Sequence, residues 1–271
     1  MKTYQLIFLM IYLPLFNYGQ NTLNNCLINE NTDKFYDEVL SSYFPKSSSC
    51  RSSELPLRVS LKKYCPEVRQ QDETSSNVGW AVGYSAMTIT YAKQYEWTTE
   101  EINENALSPT FLSSQLRDKD CQAVFGIGEV LELASHRGNV FYKEFDAIYG
   151  YCNAHVSVFK MKPTYLFKLK DYLTLFSLNA YNKQKIYNTK KSISEGKPVI
   201  IGMKVLKNFE NLTKKTPYWN PNIGDTNVLG GHAMVVVGYD ESRGAFEVMN
   251  SWGKNWGNDG FIYIKYADYA K

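Results

Sequence analysis

"GGHAMVVVGYD" at Gly230–Asp240 and "EVMNSWGKNWGNDGFIYIKY" at Glu247–Tyr266 are the two runs on which the reading of this chain turns. Both are dense in β-branched and aromatic residues and are bounded by Gly, Asp and Asn, the composition of short strands joined by tight turns. Three shorter runs share this texture: "PVIIGMKV" at Pro198–Val205, "AFEVMN" at Ala245–Asn250, which overlaps the start of the second block, and "FIYIKY" at Phe261–Tyr266, which ends it. The C-terminal third therefore reads as an antiparallel sheet or barrel.

Toward the N-terminus the period changes. From Gly79 to Gln94 the small residues Ala81, Gly83, Ser85 and Ala86 alternate with Trp80, Tyr84, Met87 and Tyr91, a helical pattern suited to close packing on several sides. A second helix fits Gly126–His136, with Ile127, Val130, Leu131 and Leu133 on its apolar side. Residues 164–196 have no clean period and read as a connector with some helix. Helices first and strands afterwards argue for an α+β fold of two packed lobes.

The two opening blocks, with their paired Asn-Ser-Trp-Gly (Asn250–Gly253) and Trp-Gly-x-x-Gly (Trp256–Gly260) elements, resemble the His and Asn blocks of the papain-like cysteine peptidases. The resemblance implies a papain-like domain over 56–271, with a helical lobe at about 56–160 and an antiparallel β-barrel-like lobe at about 190–271. It also aligns the stretch "VRQQDETSSNVGWAVGYSAM" (Val68–Met87) with the segment that launches the family's nucleophile. There a Gln precedes the catalytic Cys by six positions and the Cys begins the central helix. Here Gln71 stands six before Asn77, and Val78-Gly79-Trp80-Ala81 follows. A rival register places Gly79 at the nucleophile position and Glu73 at that of the Gln. Neither register supplies a cysteine.

By this resemblance His232 takes the imidazole role, Asn250 holds that ring by a hydrogen bond, Trp252 screens it from water, and Gln71 with the backbone N–H of residue 77 forms an oxyanion hole. A thiol at a helix N-terminus beside an imidazole is held as thiolate, which is what makes it reactive near neutral pH. Asn77 has no such chemistry, because its amide nitrogen lone pair is delocalised into the carbonyl. Loss of the nucleophile in a related hydrolase costs about 10⁶ in turnover. Ser75 and Ser76 are read as helix caps.

A second departure lies after Cys121, which matches the family's cleft cysteine. Glycines that let a peptide backbone approach are replaced by Gln122, Ala123 and Val124, so that Ala123 and Val124 narrow the substrate cleft; the alternative is that a loop of shifted register supplies the glycines at Gly126 and Gly128. Family members commonly carry disulfide cysteines at the places of Cys121 and Cys152, and the resemblance makes these two a candidate bridge.

Met1–Lys2 and the apolar stretch Leu6–Phe16 have the form of a secretory signal ending at Gly19 or Gln20, followed by a Ser- and Asn-rich extension over 21–55. "LNNC" ending at Cys26 faintly resembles a lipoprotein cleavage site. The five cysteines fall in the exported part, where disulfides are permitted, and their odd number leaves one free or paired between chains. No Cys-x-x-Cys pair occurs and only three histidines are present, so neither a metal nor a cofactor is expected. The near balance of 30 basic and 27 acidic residues gives no footprint for nucleic acid, and no later run reaches the roughly 18 apolar residues of a membrane span. A peptide or protein ligand is the expected partner; oligomeric state stays open.

The function expected is that of a secreted papain-like homologue that binds extended peptides without cutting them. Two alternatives remain open at this point: an active cysteine-type endopeptidase, if the residue at position 77 is misread or engineered or another nucleophile serves, and an interaction protein with a vestigial cleft.

Overall fold

The computed structural model describes residues 55–71, 76–116, 125–145, 163, 165–221 and 227–271. The signal-like stretch, the extension up to residue 54 with Cys26, Ser75, the candidate bridge Cys121–Cys152, and Ala123 and Val124 lie outside the described residues.

The expected central helix is present and begins two residues earlier than its apolar pattern. α1 runs from Asn77 to Gln94 as α-helical Asn77–Gly79, a π-helical stretch Trp80–Ala86 and α-helical Met87–Gln94. Every residue from Val78 to Ile89 is buried, which explains the mixture of small and aromatic residues: no face of this stretch meets water. Gly83 lets the Ser108 carbonyl approach, since a Cβ there would stand 2.6 Å from that oxygen. Short helices α2 (Thr99–Glu104) and α3 (Ser113–Leu116) follow. Thr98 and Glu101 form a capping box on α2, satisfying two of its orphan N–H groups. α4 (Ile127–His136) lies where its periodicity places it, and the connector contains α5 (Asn182–Ser194). α6 (Tyr266–Tyr269) follows the last strand.

The six strands are β1 (Arg58–Ser60), β2 (Val199–Leu206), β3 (Tyr218–Trp219), β4 (Val228–Asp240), β5 (Ala245–Met249) and β6 (Phe261–Lys265). β4 is the axis of the sheet. β2 and β1 pair along one of its edges, with Met203 opposite His232 and Val59 opposite Tyr239; β5 pairs along the other. β6 continues antiparallel to β5, and β3 ends the sheet parallel to β6. The sheet is mostly antiparallel and, among the described residues, open rather than closed into a barrel. β4 is buried from His232 to Tyr239 without alternation, as a strand covered on both faces must be, and α1 and α5 both pack against it. No helix among the described residues is long and apolar enough to cross a membrane.

Candidate active site

His232 lies on β4 just after Gly230 and Gly231, and is 3% exposed. The β4–β5 hairpin sets Met249 opposite Val235, so the next residue, Asn250, leaves the sheet alongside the segment of β4 that begins at His232. Its Oδ1 accepts from His232 Nε2 at 2.7 Å and from the Ser251 backbone N–H at 2.8 Å. The second bond settles the first. An N–H donor requires that atom to be the amide oxygen, so Nε2 carries the proton and Nδ1 of the neutral ring is an acceptor.

Trp252 lies over the imidazole with ring centroids 5.0 Å apart. Behind it Phe209 makes edge contacts with Trp219 and Trp252 and lies 6.3 Å from the His232 ring, while Trp256 donates its indole N–H to the Phe209 carbonyl. This aromatic wall desolvates the ring. Burial lowers the pKa of His232 below the ordinary histidine value, against the opposing effect of the Asn250 bond.

The segment 69–71 lies along residues 251–253. Gln71 N–H donates to the Ser251 carbonyl at 2.6 Å, Gln70 bridges Trp252, and Gly253 N–H donates to the Arg69 carbonyl at 3.2 Å. Ser251 Oγ also donates to Gln71 Oε1 at 2.6 Å. With its oxygen engaged, Gln71 keeps its Nε2 hydrogens for another acceptor. Ser251 was part of the quoted motif, yet sequence reasoning gave it no role; its place beside Asn250 was the available signal.

Asn77 is the first residue of α1, half-buried, and its Oδ1 is buried without a hydrogen-bond partner. The first turn of α1 packs against β4, the strand that carries His232. Ser76 occupies the N-cap position but makes no side-chain capping bond to the helix, unlike the expected cap. Gly79 is buried where a Cβ would stand 2.1 Å from the Pro109 carbonyl oxygen. Cys65, the one cysteine among the described residues, is held well above the usual thiol range by burial first and by Glu247 second, so it is no thiolate nucleophile. Among the described residues no group of three or more His, Cys, Asp or Glu could hold a metal ion.

The His232 environment has a measurable consequence. Its folded pKa is depressed, so at pH values between that pKa and the unfolded value near 6.5 the unfolded chain binds more protons. This contribution to stability is present above pH 6.5 and is lost as pH falls through the folded pKa. The thermal midpoint of the wild type is expected to fall more steeply between pH 7 and pH 5 than that of His232→Gln; parallel profiles would show that the ring is not buried neutral.

A sequence model of the papain family of cysteine proteases matches residues 135–270, a span that holds His232 and Asn250 but not Gln71 or Asn77. An uncharacterized peptidase C1-like protein of Acanthamoeba polyphaga mimivirus is 29% identical over 133 residues, 44% of this chain and 42% of that protein. Cysteine proteinase 3 of Solanum lycopersicum is 34% identical over 81 residues, 29% of this chain and 22% of its own length. The chain thus matches less than half the length of these curated relatives. Among solved structures, xylellain, a cysteine protease from Xylella fastidiosa, is similar with a TM-score of 0.63 over 90% of this chain and 95% of that one, at 19% identity. The bromelain protease from Ananas comosus, in complex with an inhibitor, gives 0.59 over 78% and 90% at 15% identity. At such identities the likeness is one of fold.

Proposed function

Because the chain belongs to the papain family of cysteine proteases, we propose that it is a pseudopeptidase, an exported member that binds extended peptide segments in its cleft and does not cut them. The observation that carries this reading is Asn77: an amide stands at the first position of a buried central helix, and that helix packs on the strand where His232 is already oriented by Asn250. The orphaned Oδ1 supports it. A thiol at that place needs no hydrogen bond, whereas an amide in a space shaped for sulfur leaves an acceptor unpaired at a cost of about 1–3 kcal/mol. The rival register, with position 79 as the nucleophile, is disfavoured because that position has no room for a side chain.

On this reading Gln71 Nε2 and the Asn77 backbone N–H face the carbonyl of a bound peptide, His232 accepts or donates at Nδ1, and no covalent intermediate forms. The purified protein is expected to leave casein and fluorogenic peptides intact and to escape labelling by an epoxide-type thiol probe, while binding peptides reversibly and releasing them unaltered by mass spectrometry. N-terminal sequencing of the exported protein should begin at Gln20 or Asn21. Hydrolysis blocked by the epoxide would make the chain a working peptidase. Absence of peptide binding would leave the cleft vestigial and point to an outer face.

A further inference from the structure

Resting on the reading of this site as a peptide-binding cleft without a nucleophile, we propose that it selects peptides by their ends, taking a free C-terminal carboxylate among Gln71, the backbone N–H of Asn77 and His232. Three features of this chain point to an anion there. Gln71 is locked by Ser251 through its amide oxygen and offers only Nε2–H donors. The backbone N–H of Asn77 opens α1, which runs unbroken to Gln94 and brings its positive end to the site. His232, nine-tenths buried, is bound through Nε2 alone, and Nδ1 has no partner among the described residues.

In an active relative the thiolate repels a second negative charge at this place. Asn77 is neutral, so the repulsion is gone and the donors remain. One carboxylate oxygen accepts from Gln71 Nε2–H and the Asn77 N–H. The other accepts from Nδ1–H of a His232 that has taken up a proton, so that ligand and ring form the ion pair that thiolate and imidazolium form in an active site. A peptide amide or an internal peptide bond gains only the first set of bonds.

The ring is walled by Trp252, Phe209 and Asn250. The charged side chains on the surrounding elements are Arg69 on the segment that carries Gln71, Lys204 on β2, Lys207 and Glu210 beside Phe209, and Lys254 after Trp252, which pairs with Glu67; the first turn of α1 carries none. None of these contributes to the His232 shift, which comes from burial and the Asn250 bond. Asp72 and Glu73, between Gln71 and Asn77 in sequence, lie outside the described residues. Binding the carboxylate raises the His232 pKa from its depressed free value. Affinity for the acid form is therefore greatest below the free pKa and is lost as pH rises through the pKa of the complex.

The probe is a fluorescein-tagged random octapeptide pool made in two forms, C-terminal acid and C-terminal amide, titrated by fluorescence anisotropy at pH 5.5 and 8. The acid pool is expected to bind about tenfold or more tightly than the amide pool at pH 5.5, with a smaller ratio at pH 8. Asn77→Ala, which keeps the backbone N–H, should preserve the ratio; Asn77→Asp, which restores a negative charge in nearly the same shape, should abolish it. Equal binding of both pools overturns the carboxylate proposal and leaves the peptide cleft standing. Binding of neither pool overturns both. A preference for acid that survives Asn77→Asp places the carboxylate elsewhere and also overturns the proposal.

Discussion

Asn77→Cys is expected to create a thiol that iodoacetamide labels at pH 5 on the order of tenfold faster than an ordinary cysteine, and whose rate stays flat toward acid where that of an ordinary cysteine falls tenfold per pH unit. At pH 5 a thiol with pKa near 8.5 is thiolate in only about 3 parts in 10⁴. A thiol at a helix N-terminus and paired with imidazolium falls to a pKa of about 4 and is almost wholly thiolate. Nucleophilicity declines with basicity by about 0.4–0.5 log units per pKa unit, which removes most but not all of that gain. The shape of the pH profile is thus the sharper readout.

The control is the double variant Asn77→Cys with His232→Ala. Without the imidazolium the thiolate loses its counter-ion and the acid plateau should vanish, even though α1 still begins at residue 77. In the single variant His232, whose pKa burial lowers in the native chain, should bind its proton more tightly because a thiolate stands beside it. Asn77→Ser should gain little, since the ring is backed by the amide of Asn250 and not by a buried carboxylate that would help it remove a hydroxyl proton. A thiol at position 77 that behaves as free cysteine in both backgrounds would sink the alignment, and with it the proposal that this chain is a pseudopeptidase.

The strands around His232 and Asn250 were legible because their patterning is local: runs of Val, Ile, Tyr and Phe between Gly and Asn turns form strands wherever they find partners. The α4 pattern was legible for the same reason. β1 and β3 were not, having three and two residues; Arg58–Ser60 is a strand because Gly238–Asp240 lies beside it, and Tyr218–Trp219 because of β6. Nothing within such short segments records the distant partner. The π-helical turn of α1 was equally hidden, since the sequence shows a buried helix but not the i to i+5 pairing forced by packing. At the site, sequence reasoning named His232, Asn250, Trp252 and Gln71 but missed Phe209, the hub of the aromatic wall. Phe209 sits in a five-residue 3₁₀ turn, Lys207–Asn211, that follows no periodic pattern. The missed residues act through contacts across the chain and carry no local signature.

Gly79→Ala is expected to lower the thermal midpoint by roughly 10 °C, the consequence of about 3 kcal/mol or more of overpacking in a domain of this size. The added methyl would lie 2.1 Å from the Pro109 carbonyl oxygen and 3.1 Å from Ser113 Oγ. Relief requires a shift of about 1 Å in one backbone or the other, and neither is free to move. The Pro109 segment is pinned through Ser108: its N–H donates to the Val140 carbonyl at 2.9 Å, its Oγ donates to the Phe145 carbonyl at 2.8 Å, and Asn139 Nδ2 donates to its carbonyl at 2.8 Å. α1 is fixed by the burial of Val78, Trp80 and Val82 around the glycine. Asn77→Ala, two residues away on the same turn, should leave the midpoint unchanged or raise it slightly, because it replaces an amide whose oxygen is orphaned with the best helix former. The pair of measurements also bears on chemistry. A position that cannot hold a methyl cannot hold a cysteine, so a large loss at 79 beside none at 77 leaves residue 77 as the position on this turn with room for a nucleophile's side chain. If Gly79→Ala melts with the wild type, that steric distinction is gone and the choice between the two registers reopens.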